Sequence, residues 1–248
     1  MERYGLIGFP LGHSFSMSFF NEKFRNEHID AEYVNFEIPT IEHLTEIVNA
    51  TPNLRGLNVT IPYKEQVIPY LDELSEEAAA VGAVNLIAVS YKGRKVHLKG
   101  YNSDVTGFTN SIAPLLAPHH SKALILGTGG AAKAVDYSLQ KLGLYTQMVS
   151  RIRRTNAITY EDINAEMMAE YHVVVNCTPL GLYPNTDECP YLPYEALTPH
   201  HLLYDLLYNP DTTLFMKKGA QQGAVVKNGL EMLLLQAYAN WDVWHRDS

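Results

Sequence analysis

The fold is decided by the stretch Leu124-Ile125-Leu126-Gly127-Thr128-Gly129-Gly130-Ala131-Ala132-Lys133-Ala134-Val135. The apolar run that ends at Leu126 predicts a buried strand, and the glycines that follow it predict a turn. From Ala131 to Leu142, the composition and the apolar spacing predict a helix. The stretch therefore predicts a strand, a glycine turn and a helix in that order.

The glycine turn matches the dinucleotide-binding fingerprint G-x-G-x-x-G/A at Gly127, Gly129 and Ala132. The first position allows a tight turn, the second lets the backbone approach a pyrophosphate, and the third lets the helix pack closely on the strand. The free N–H groups and the dipole at the start of the helix would then bind the phosphates. The alternative is a glycine-rich turn that only connects a strand to a helix.

Three arginines follow the next predicted strand, in the run Ser150-Arg151-Ile152-Arg153-Arg154. A protein that binds NAD usually places an Asp or Glu here, about 20 residues after the glycines, for the ribose 2′-hydroxyl. This run has arginines and no carboxylate, which suits a 2′-phosphate, so the sequence predicts NADP rather than NAD. A solvated basic loop is the alternative.

The composition excludes several classes of protein. A chain of 248 residues can bury a sizeable core in one or two domains. Its net charge of −8 argues against a general affinity for nucleic acid. Cys177 and Cys189 are too few for a disulfide framework and lack the spacing of a zinc site. The histidine pairs 119–120 and 200–201 fall in no metal-binding pattern, so we predict no metal.

The sequence shows no targeting or membrane segment. The N-terminal residues Met1 to Gly5 lack the basic segment and the apolar core of a signal peptide. No apolar run reaches the length of about 18 residues that a membrane span needs. We therefore expect a cytoplasmic protein that does not interact with a membrane.

The region before the glycine turn predicts a further α/β segment. Strands are expected at 4–9, 31–38 and 57–61, a hairpin at 82–89 and 95–99, and helices at 15–24, 62–71 and 75–81. Ligands bind at the carboxyl ends of strands in open α/β sheets, so Asn58, Thr60 and Lys64 are candidates to face one site. The alternative for Lys64 is a surface amine paired with a neighbouring Glu.

Ser14 and Ser16 lie at the start of the first predicted helix. Serine is a common N-cap residue, and two hydroxyls at the mouth of a strand could equally bind a polyol or a carboxylate. His13 beside them is a candidate ligand or a capping histidine. Asp104 lies near the start of another predicted helix, at 106–116, where a carboxylate suits the helix dipole.

Beyond the arginines, the chain predicts strands at 173–176, 202–206 and 224–226, with helices at 161–170 and 212–222. A long amphipathic helix, 229–244, closes the sequence and carries Gln236 among apolar residues. The predicted fold class is α/β, with an N-terminal α/β domain and a Rossmann-type, doubly wound dinucleotide-binding domain.

Several blocks of sequence occur in an order that is informative as a set: Ser14-Phe15-Ser16, Asn58-Val59-Thr60-Ile61-Pro62-Tyr63-Lys64, Gly82-Ala83-Val84-Asn85, Asn102-Ser103-Asp104, Gly127-Thr128-Gly129-Gly130-Ala131, and Gly229-Leu230-Glu231-Met232 with Gln236. Together they resemble the shikimate dehydrogenase family over nearly the whole chain. The resemblance implies an enzyme that reduces 3-dehydroshikimate to shikimate with NADPH, on the route to chorismate and aromatic amino acids.

The resemblance also implies separate domains for the substrate and for the cofactor. A substrate domain would comprise 1–104, completed by the C-terminal helix 229–248, and an NADP domain would comprise 105–228. The implied substrate-binding residues are Ser14 and Ser16 for the carboxylate, Thr60, Asn85 and Gln236 for the hydroxyls and the ring, and Tyr208. The implied cofactor-binding residues are Gly127, Gly129, Gly130, Ala131, Ser150, Arg151, Arg154, Thr178 and Gly229, the last of these near the nicotinamide.

Lys64 and Asp104 resemble the catalytic pair of the family. Reduction of a carbonyl leaves an alkoxide, to which an ammonium within hydrogen-bond reach can donate a proton. Burial lowers the pKa of a lysine and a nearby carboxylate raises it, so Asp104 would orient Lys64 rather than make it more acidic. Either residue could pass the proton, and our hypothesis is that Lys64 does.

The chain departs from the family at two places that concern cofactor binding. Ser150-Arg151-Ile152 stands where Asn-Arg-Thr is common, and Thr178-Pro179-Leu180-Gly181 stands where Thr-Ser-x-Gly is usual. The alternatives are an NAD-dependent quinate/shikimate dehydrogenase and a non-catalytic sensor of a shikimate-like metabolite. The arginines argue against the first, and the presence of both Lys64 and Asp104 argues against the second. The expected assembly is a monomer or a homodimer.

Overall fold

The computed structural model describes residues 1–12, 14–93 and 95–246, and this part of the chain forms two compact units. Unit 1 comprises Met1–Ser103 together with the chain from Ala237 onward, and unit 2 comprises Asp104–Gln236. The candidate ligand His13 lies outside the described residues.

Unit 1 contains a mixed six-stranded sheet in the order β2-β1-β3-β5-β6-β4. β1 pairs in parallel with β2 and β3, β5 pairs antiparallel with β3 and β6, and β4 pairs in parallel with β6. The strands are β1 (Glu2–Gly8), β2 (Ala31–Glu37), β3 (Leu54–Val59), β4 (Glu73–Leu74), β5 (Leu86–Lys92) and β6 (Lys95–Tyr101), and the helices are α1 (Phe15–Asn26), α2 (Leu44–Ala50) and α3 (Glu76–Val81).

Both faces of this first sheet are buried. Successive strand residues point to opposite faces, so Ile87 and Val89 of β5 enter one apolar cluster while Leu86 and Ala88 enter the other. The second cluster is completed by Trp244 from the end of the chain, whose indole Nε1 donates a hydrogen bond to the carbonyl of Ile87 at 3.0 Å. The last turns of the chain are therefore part of the core of unit 1.

Unit 2 contains a six-stranded sheet in the order β9-β8-β7-β10-β11-β12, and every pairing in it is parallel. Counted from β7, this order is the 3-2-1-4-5-6 arrangement of the Rossmann fold, which confirms the predicted fold class. The strands are β7 (Lys122–Leu126), β8 (Tyr145–Ser150), β9 (Ala157–Thr159), β10 (Val173–Asn176), β11 (Leu202–Asp205) and β12 (Val225–Lys227).

The remaining helices are α4 (Ser103–Ile112), α5 (Gly130–Lys141), α6 (Ala165–Glu170), α7 (Leu214–Gln221) and α8 (Leu230–Arg246). α4 starts at the last residue of the first segment of unit 1, and α8 begins in unit 2 and ends in unit 1. The second sheet is buried on both faces, since Ala123 and Ile125 enter one apolar cluster and Leu124 and Leu126 enter another. No helix in the described ranges is both long and apolar enough to cross a bilayer.

The amino-terminal end of the second sheet carries a group of five histidines, which we call the histidine cluster: His119, His120, His172, His200 and His201. They directly precede β7, β10 and β11, and neighbouring ring centroids lie 4.3–6.3 Å apart. The Nε2 atoms of His119 and His120 both lie within 3.1 Å of the carbonyl oxygen of His200. Burial lowers the pKa of His120 and of His201 below the ordinary value.

The predicted helix 62–71 is wrong. The chain forms turns there, followed by a single 3₁₀ turn, Ile68–Tyr70. Pro69 lies inside the predicted range, where it removes a backbone donor and disfavours the helical conformation of the residue before it. The two short strands β4 and β9 were not predicted. Ser75 is the N-cap of α3, and its hydroxyl accepts a hydrogen bond from the Ala78 N–H at 3.1 Å.

Candidate active site

The glycine turn of unit 2 has the geometry that its fingerprint requires. Gly127 adopts φ +125°, which side chains rarely allow, and a Cβ there would lie 3.2 Å from the carbonyl oxygen of Cys177. A Cβ on Gly129 would meet no atom within 4 Å, so the chain is open to a ligand at this point. Hydrogen bonding within α5 starts with the Lys133 N–H and the Gly129 carbonyl. The preceding N–H groups of the helix have no intrahelical acceptor.

A cavity of about 540 Å³ opens at this turn. Six of the nine predicted cofactor residues line it: Gly127, Gly129, Ser150, Arg151, Arg154 and Thr178. The other lining residues are Thr128, Val149, Ile152, Tyr160, Cys177, Pro179 and Leu180. Gly130 and Ala131 begin α5 beside the cavity, and Gly229 lies elsewhere in unit 2. The sequence reasoning missed Tyr160, which follows the unpredicted strand β9.

The three arginines that follow β8 differ in their contacts. Arg153 donates two hydrogen bonds to the carboxylate of Asp162, at 2.8 and 3.0 Å. Arg151 and Arg154 line the cavity, and within the described ranges neither forms an ion pair. Burial raises the pKa of Tyr160 to about 12, and the nearby Arg151 guanidinium opposes that rise. Two cations thus remain available at the cavity for an anion.

Two further chain segments of unit 2 carry predicted residues. Thr178 is fixed by Asn176, whose side-chain oxygen accepts hydrogen bonds from the Thr178 N–H at 3.0 Å and from its hydroxyl at 2.7 Å. Gly229 lies against the segment after β11: its N–H donates to the Leu207 carbonyl at 2.9 Å, and a Cβ would lie 2.1 Å from the Leu206 carbonyl oxygen. Tyr208, in the same segment, is partly exposed, and burial raises its pKa.

Asp104 and Gln236 also belong to unit 2. Asp104 is the second residue of α4 and only 6% exposed. One turn further along α4, a Cβ on Gly107 would lie 3.0 Å from Cβ of Gln236 and 2.6 Å from the carbonyl oxygen of Met232. α4 and α8 therefore pack closely where these two predicted residues lie.

In unit 1, the sheet brings three predicted residues to one end. Thr60 directly follows β3, and Asn85 directly precedes β5, which pairs antiparallel with β3. The Val59 N–H donates to the Asn85 carbonyl at 2.8 Å, and the Val84 N–H donates to the Lys64 carbonyl at 2.7 Å. The backbone thus holds Thr60, Lys64 and Asn85 close together.

The side chain of Asn85 is buried and fixes the start of α4. Its Oδ1 accepts a hydrogen bond from the Ser103 N–H at 2.7 Å, and its Nδ2 donates to the Ser103 hydroxyl at 2.9 Å. Ser103 immediately precedes Asp104 in the chain. Asn85 therefore has a positioning function that the sequence did not reveal, in addition to the predicted role toward a substrate.

Both predicted serines lie at the N-terminus of α1. Ser14 is the N-cap, with its Oγ accepting from the Met17 N–H at 3.2 Å. The Ser16 side chain opposes the rise that burial causes in the pKa of Tyr33, whose hydroxyl donates to Oδ1 of Asn58 at 2.8 Å. The N-cap interpretation of Ser14 is thus confirmed, and Ser16 lies in the first turn of the same helix.

The cavity in unit 2 fits a dinucleotide with a 2′-phosphate. Gly127 leaves no room for a side chain against Cys177, the first N–H groups of α5 are unbonded within the helix, and two arginines line the same space. These are the donors and the close backbone approach that a pyrophosphate and a further phosphate require. Among the residues that the structure describes, no group of three or more His, Cys, Asp or Glu side chains could hold a metal ion.

Known proteins resemble this chain along nearly its whole length. Residues 6–87 match the model of the shikimate dehydrogenase substrate binding domain. The shikimate dehydrogenase (NADP(+)) of Desulforamulus reducens is 36% identical over 97% of this chain and 88% of its own length.

Two solved structures share the fold. The chorismate mutase/shikimate 5-dehydrogenase fusion protein from Clostridium acetobutylicum has a TM-score of 0.85 and 34% identity, over 100% of this chain and 92% of the other. Shikimate 5-dehydrogenase from Thermus thermophilus, in complex with NADP(H) and shikimate, has a TM-score of 0.84 and 29% identity, over 98% of this chain and 93% of the other. The two-unit fold, the fingerprint turn and this identity lead to one conclusion: the chain belongs to the shikimate dehydrogenase family.

Proposed function

We propose that this protein catalyses the reversible reduction of 3-dehydroshikimate to shikimate with NADPH, a step toward chorismate and the aromatic amino acids. The observation that carries the proposal is the cavity of unit 2, where a Rossmann fingerprint and two arginines lie at the carboxyl end of a parallel sheet. The relatives named as NADP(+) enzymes support it, and they favour neither an NAD-dependent quinate/shikimate dehydrogenase nor a metabolite sensor.

We assign cofactor binding to unit 2. The N–H groups at Gly130 and Ala131 would bind the pyrophosphate, Arg151 and Arg154 the 2′-phosphate, and Gly229 would lie near the nicotinamide. The hydroxyls of Ser150 and Thr178 and the backbone of Gly127 and Gly129 would complete the site. When bound, NADPH supplies the hydride that reduces the substrate carbonyl.

The residues that we assign to substrate binding are those that the resemblance to the family implies. Ser14 and Ser16 would bind the substrate carboxylate, and Thr60, Asn85 and Gln236 would bind its hydroxyls and ring, with Tyr208 also in contact. Lys64 would donate the proton that the developing alkoxide requires, and Asp104 would accept a hydrogen bond from the same substrate hydroxyl. In the oxidation of shikimate, Lys64 would take that proton back.

The assignment of 1–104 with 229–248 to substrate and 105–228 to NADP stays a prediction, as do a cytoplasmic location and a monomeric or homodimeric state. Binding of a small-molecule substrate and no nucleic acid is part of the same proposal. The net charge of −8 supports the second point.

The direct test follows the absorbance of the nicotinamide while shikimate is mixed with purified protein and either NADP or NAD. We expect reduction with NADP preferred over NAD. Reduction of NAD alone would support dehydrogenase activity and contradict the assignment of Arg151 and Arg154 to a 2′-phosphate. No reduction of either cofactor, in a folded protein that still binds shikimate, would favour the sensor.

The role of Lys64 is tested by Lys64→Ala, with Lys99→Ala as the matched control. Lys99 is a lysine of unit 1 whose ammonium is ion-paired with Glu73 at 2.6 Å. We expect Lys64→Ala to lower kcat by about 10²- to 10⁴-fold, the usual contribution of a general acid or base, and Lys99→Ala to leave it unchanged. A Lys64→Ala enzyme with normal turnover would refute the assignment.

A further inference from the structure

A buried carboxyl group that the proposed mechanism does not use lies at the carboxyl end of the second sheet. Asp205 is the last residue of β11 and pairs in register with Asn176, the last residue of β10. Both side chains are 0% exposed. They lie between the loop after β10, which carries Thr178, and the segment after β11, which carries Tyr208.

Three donors bind the carboxylate of Asp205. Nδ2 of Asn176 lies 3.0 Å from Oδ1, and the Leu207 N–H lies 3.1 Å from the same oxygen. The hydroxyl of Thr213, which is also fully buried, lies 2.6 Å from Oδ2. The carboxylate thus joins β10, the segment after β11 and the start of α7.

Through these bonds, Asp205 acts on both cofactor-side segments. Asn176 uses its Nδ2 on Asp205 and its Oδ1 on the N–H and hydroxyl of Thr178, so the amide orientation that Asp205 fixes also fixes the Thr178 turn. Asp205 also holds the Leu207 N–H, and the Leu207 carbonyl accepts from Gly229. A single carboxylate therefore sets the relative position of Thr178 and Gly229.

Within the described part of the chain, no cation balances the charge on Asp205 by an ion pair. Among residues 1–12, 14–93 and 95–246, no lysine, arginine or histidine forms an ion pair with Asp205. The carboxylate helps to raise the pKa of the Tyr194 phenol, and the ammonium of Lys218 lies 4.8 Å from the centre of the Tyr194 ring. Burial raises the pKa of Asp205 to about 6, against the three hydrogen bonds. For stability alone, a neutral side chain of the same shape would cost less.

We propose that Asp205 is a positioning residue for NADP(H): its ionised carboxylate, acting through Asn176 and the Leu207 N–H, holds the Thr178 turn and the Leu207–Gly229 contact in the arrangement that binds the cofactor. This inference rests on the assignment of Thr178 and Gly229 to the cofactor. Asp205 itself does not touch the reacting atoms. Its effect is on affinity and on the placement of the two segments.

The first test is the affinity for NADPH, followed by its fluorescence, in Asp205→Asn and in Thr213→Ser. The Asn side chain keeps the shape but loses the charge, so the bonds from Asn176 and Leu207 weaken and the dissociation constant is expected to rise about tenfold. Thr213→Ser keeps the hydroxyl bonded to Asp205 and is expected to bind like the wild type. Wild-type affinity in Asp205→Asn would overturn the proposal.

The second test needs no variant and stands if Asp205→Asn fails to fold. The ¹³C resonance of the Asp205 carboxyl is titrated with and without saturating NADPH. If the ionised form favours binding, linkage requires that bound NADPH lower the titration midpoint of Asp205. The negative charge of the cofactor alone would raise that midpoint, so an unchanged or raised midpoint overturns the proposal.

Neither readout depends on turnover, so the two proposals can fail separately. A wild type that binds NADPH and shows the lowered midpoint but does not oxidise shikimate would contradict the proposed function and support the role of Asp205. Normal shikimate oxidation with an unchanged titration midpoint would support the proposed function and contradict the role of Asp205.

Discussion

The two ends of the parallel sheet in unit 2 both bury titratable side chains, but they use them differently. At the carboxyl end, the strands lead into the glycine turn, the arginine loop and the Thr178 loop, and donors face a cavity of about 540 Å³. At the amino end, both ring nitrogens of His120 are bonded to the backbone: Nδ1 accepts from the Ala117 N–H, and Nε2 bonds the His200 carbonyl. We assign ligand binding to the carboxyl end, where the strand ends of an open parallel sheet present their loops to a ligand.

The same comparison predicts opposite responses to pH. The pKa of His201 is lowered by burial, so the unfolded chain binds more protons and stability falls as the pH drops below the ordinary histidine value of about 6.5. The pKa of Asp205 is raised to about 6, so the folded chain binds the extra proton and this group stabilises the fold as the pH drops through 6. On acidification, titration of His201 at the amino end thus lowers the stability of the fold, and titration of Asp205 at the carboxyl end raises it.

The strongest difference between the two ends of the sheet is expected for the arginines at the carboxyl end. The double variant Arg151→Ala/Arg154→Ala should raise KM for NADP at least about a hundredfold, because it removes two charge-assisted bonds to a phosphate that contribute about 1.5–3 kcal/mol each. KM for NAD should change little, since NAD has no 2′-phosphate. Steady-state kinetics with both cofactors measure this.

Arg153→Ala is the matched control for that experiment. Its guanidinium is bonded to Asp162 at 2.8 Å and is largely exposed. We expect KM for NADP to stay at the wild-type value and stability to fall by at most about 1 kcal/mol. Equal losses of NADP affinity in both variants would mean that the arginine run acts only through its net charge.

An intermediate effect is expected from a pair of glycines at opposite ends of the sheet. Gly127 at the carboxyl end and Gly143 at the amino end both have positive φ, +125° and +87°. An alanine at either position should cost about 1–2 kcal/mol in the free energy of unfolding. Only Gly127→Ala should also weaken NADP binding, by about tenfold, since its Cβ pushes on Cys177 at the cavity. Calorimetric titration and denaturant unfolding separate the two effects, and weakened NADP binding in Gly143→Ala would contradict the assignment of NADP binding to the carboxyl end of the sheet.

The smallest effect concerns the histidine cluster. Between pH 7.5 and 5.5, the free energy of unfolding should fall, with a slope of up to about 1.4 kcal/mol per pH unit for each proton taken up on unfolding. His201→Gln removes one such proton and should flatten the slope, even if it lowers stability at pH 7.5. Urea unfolding across this pH range measures the slope, and Asp205→Asn should make it steeper. An unchanged slope in His201→Gln would show that the cluster does not titrate on unfolding.

The sequence predicts the parts of this molecule that are local in the chain. The strand, turn and helix from Leu124 to Val135 follow one another directly, so their pattern reveals them, and the order of the strands then follows from the fold class. The strand β9 has only three residues and forms because β8 lies beside it, so no pattern within it predicts it. The helix predicted from Pro62 does not form, because Pro69 lies inside the predicted range.

The residues of the candidate site also differ in whether the local sequence reveals their part in the site. Residue types next to strand ends, such as Arg151 and Thr178, could be predicted. The ion pair that removes Arg153 from the cavity depends on Asp162, and the bond between Asn176 and Asp205 joins residues 29 positions apart. Such contacts are decided by the pairing of distant strands, so a motif reveals the lining of the cavity but not what holds the lining in place.

The last helix has a consequence for how the chain is made. α8 ends in unit 1, where Trp244 packs in the core and bonds the Ile87 carbonyl. During translation, residues 1–103 leave the ribosome first but have no indole to close their core. Unit 2 is contiguous and ends at Gln236, so its whole segment emerges before the final turns of α8 do. Unit 1 is therefore synthesised in two parts, and its core can be completed only after the whole of unit 2 and the final turns of α8 have been made.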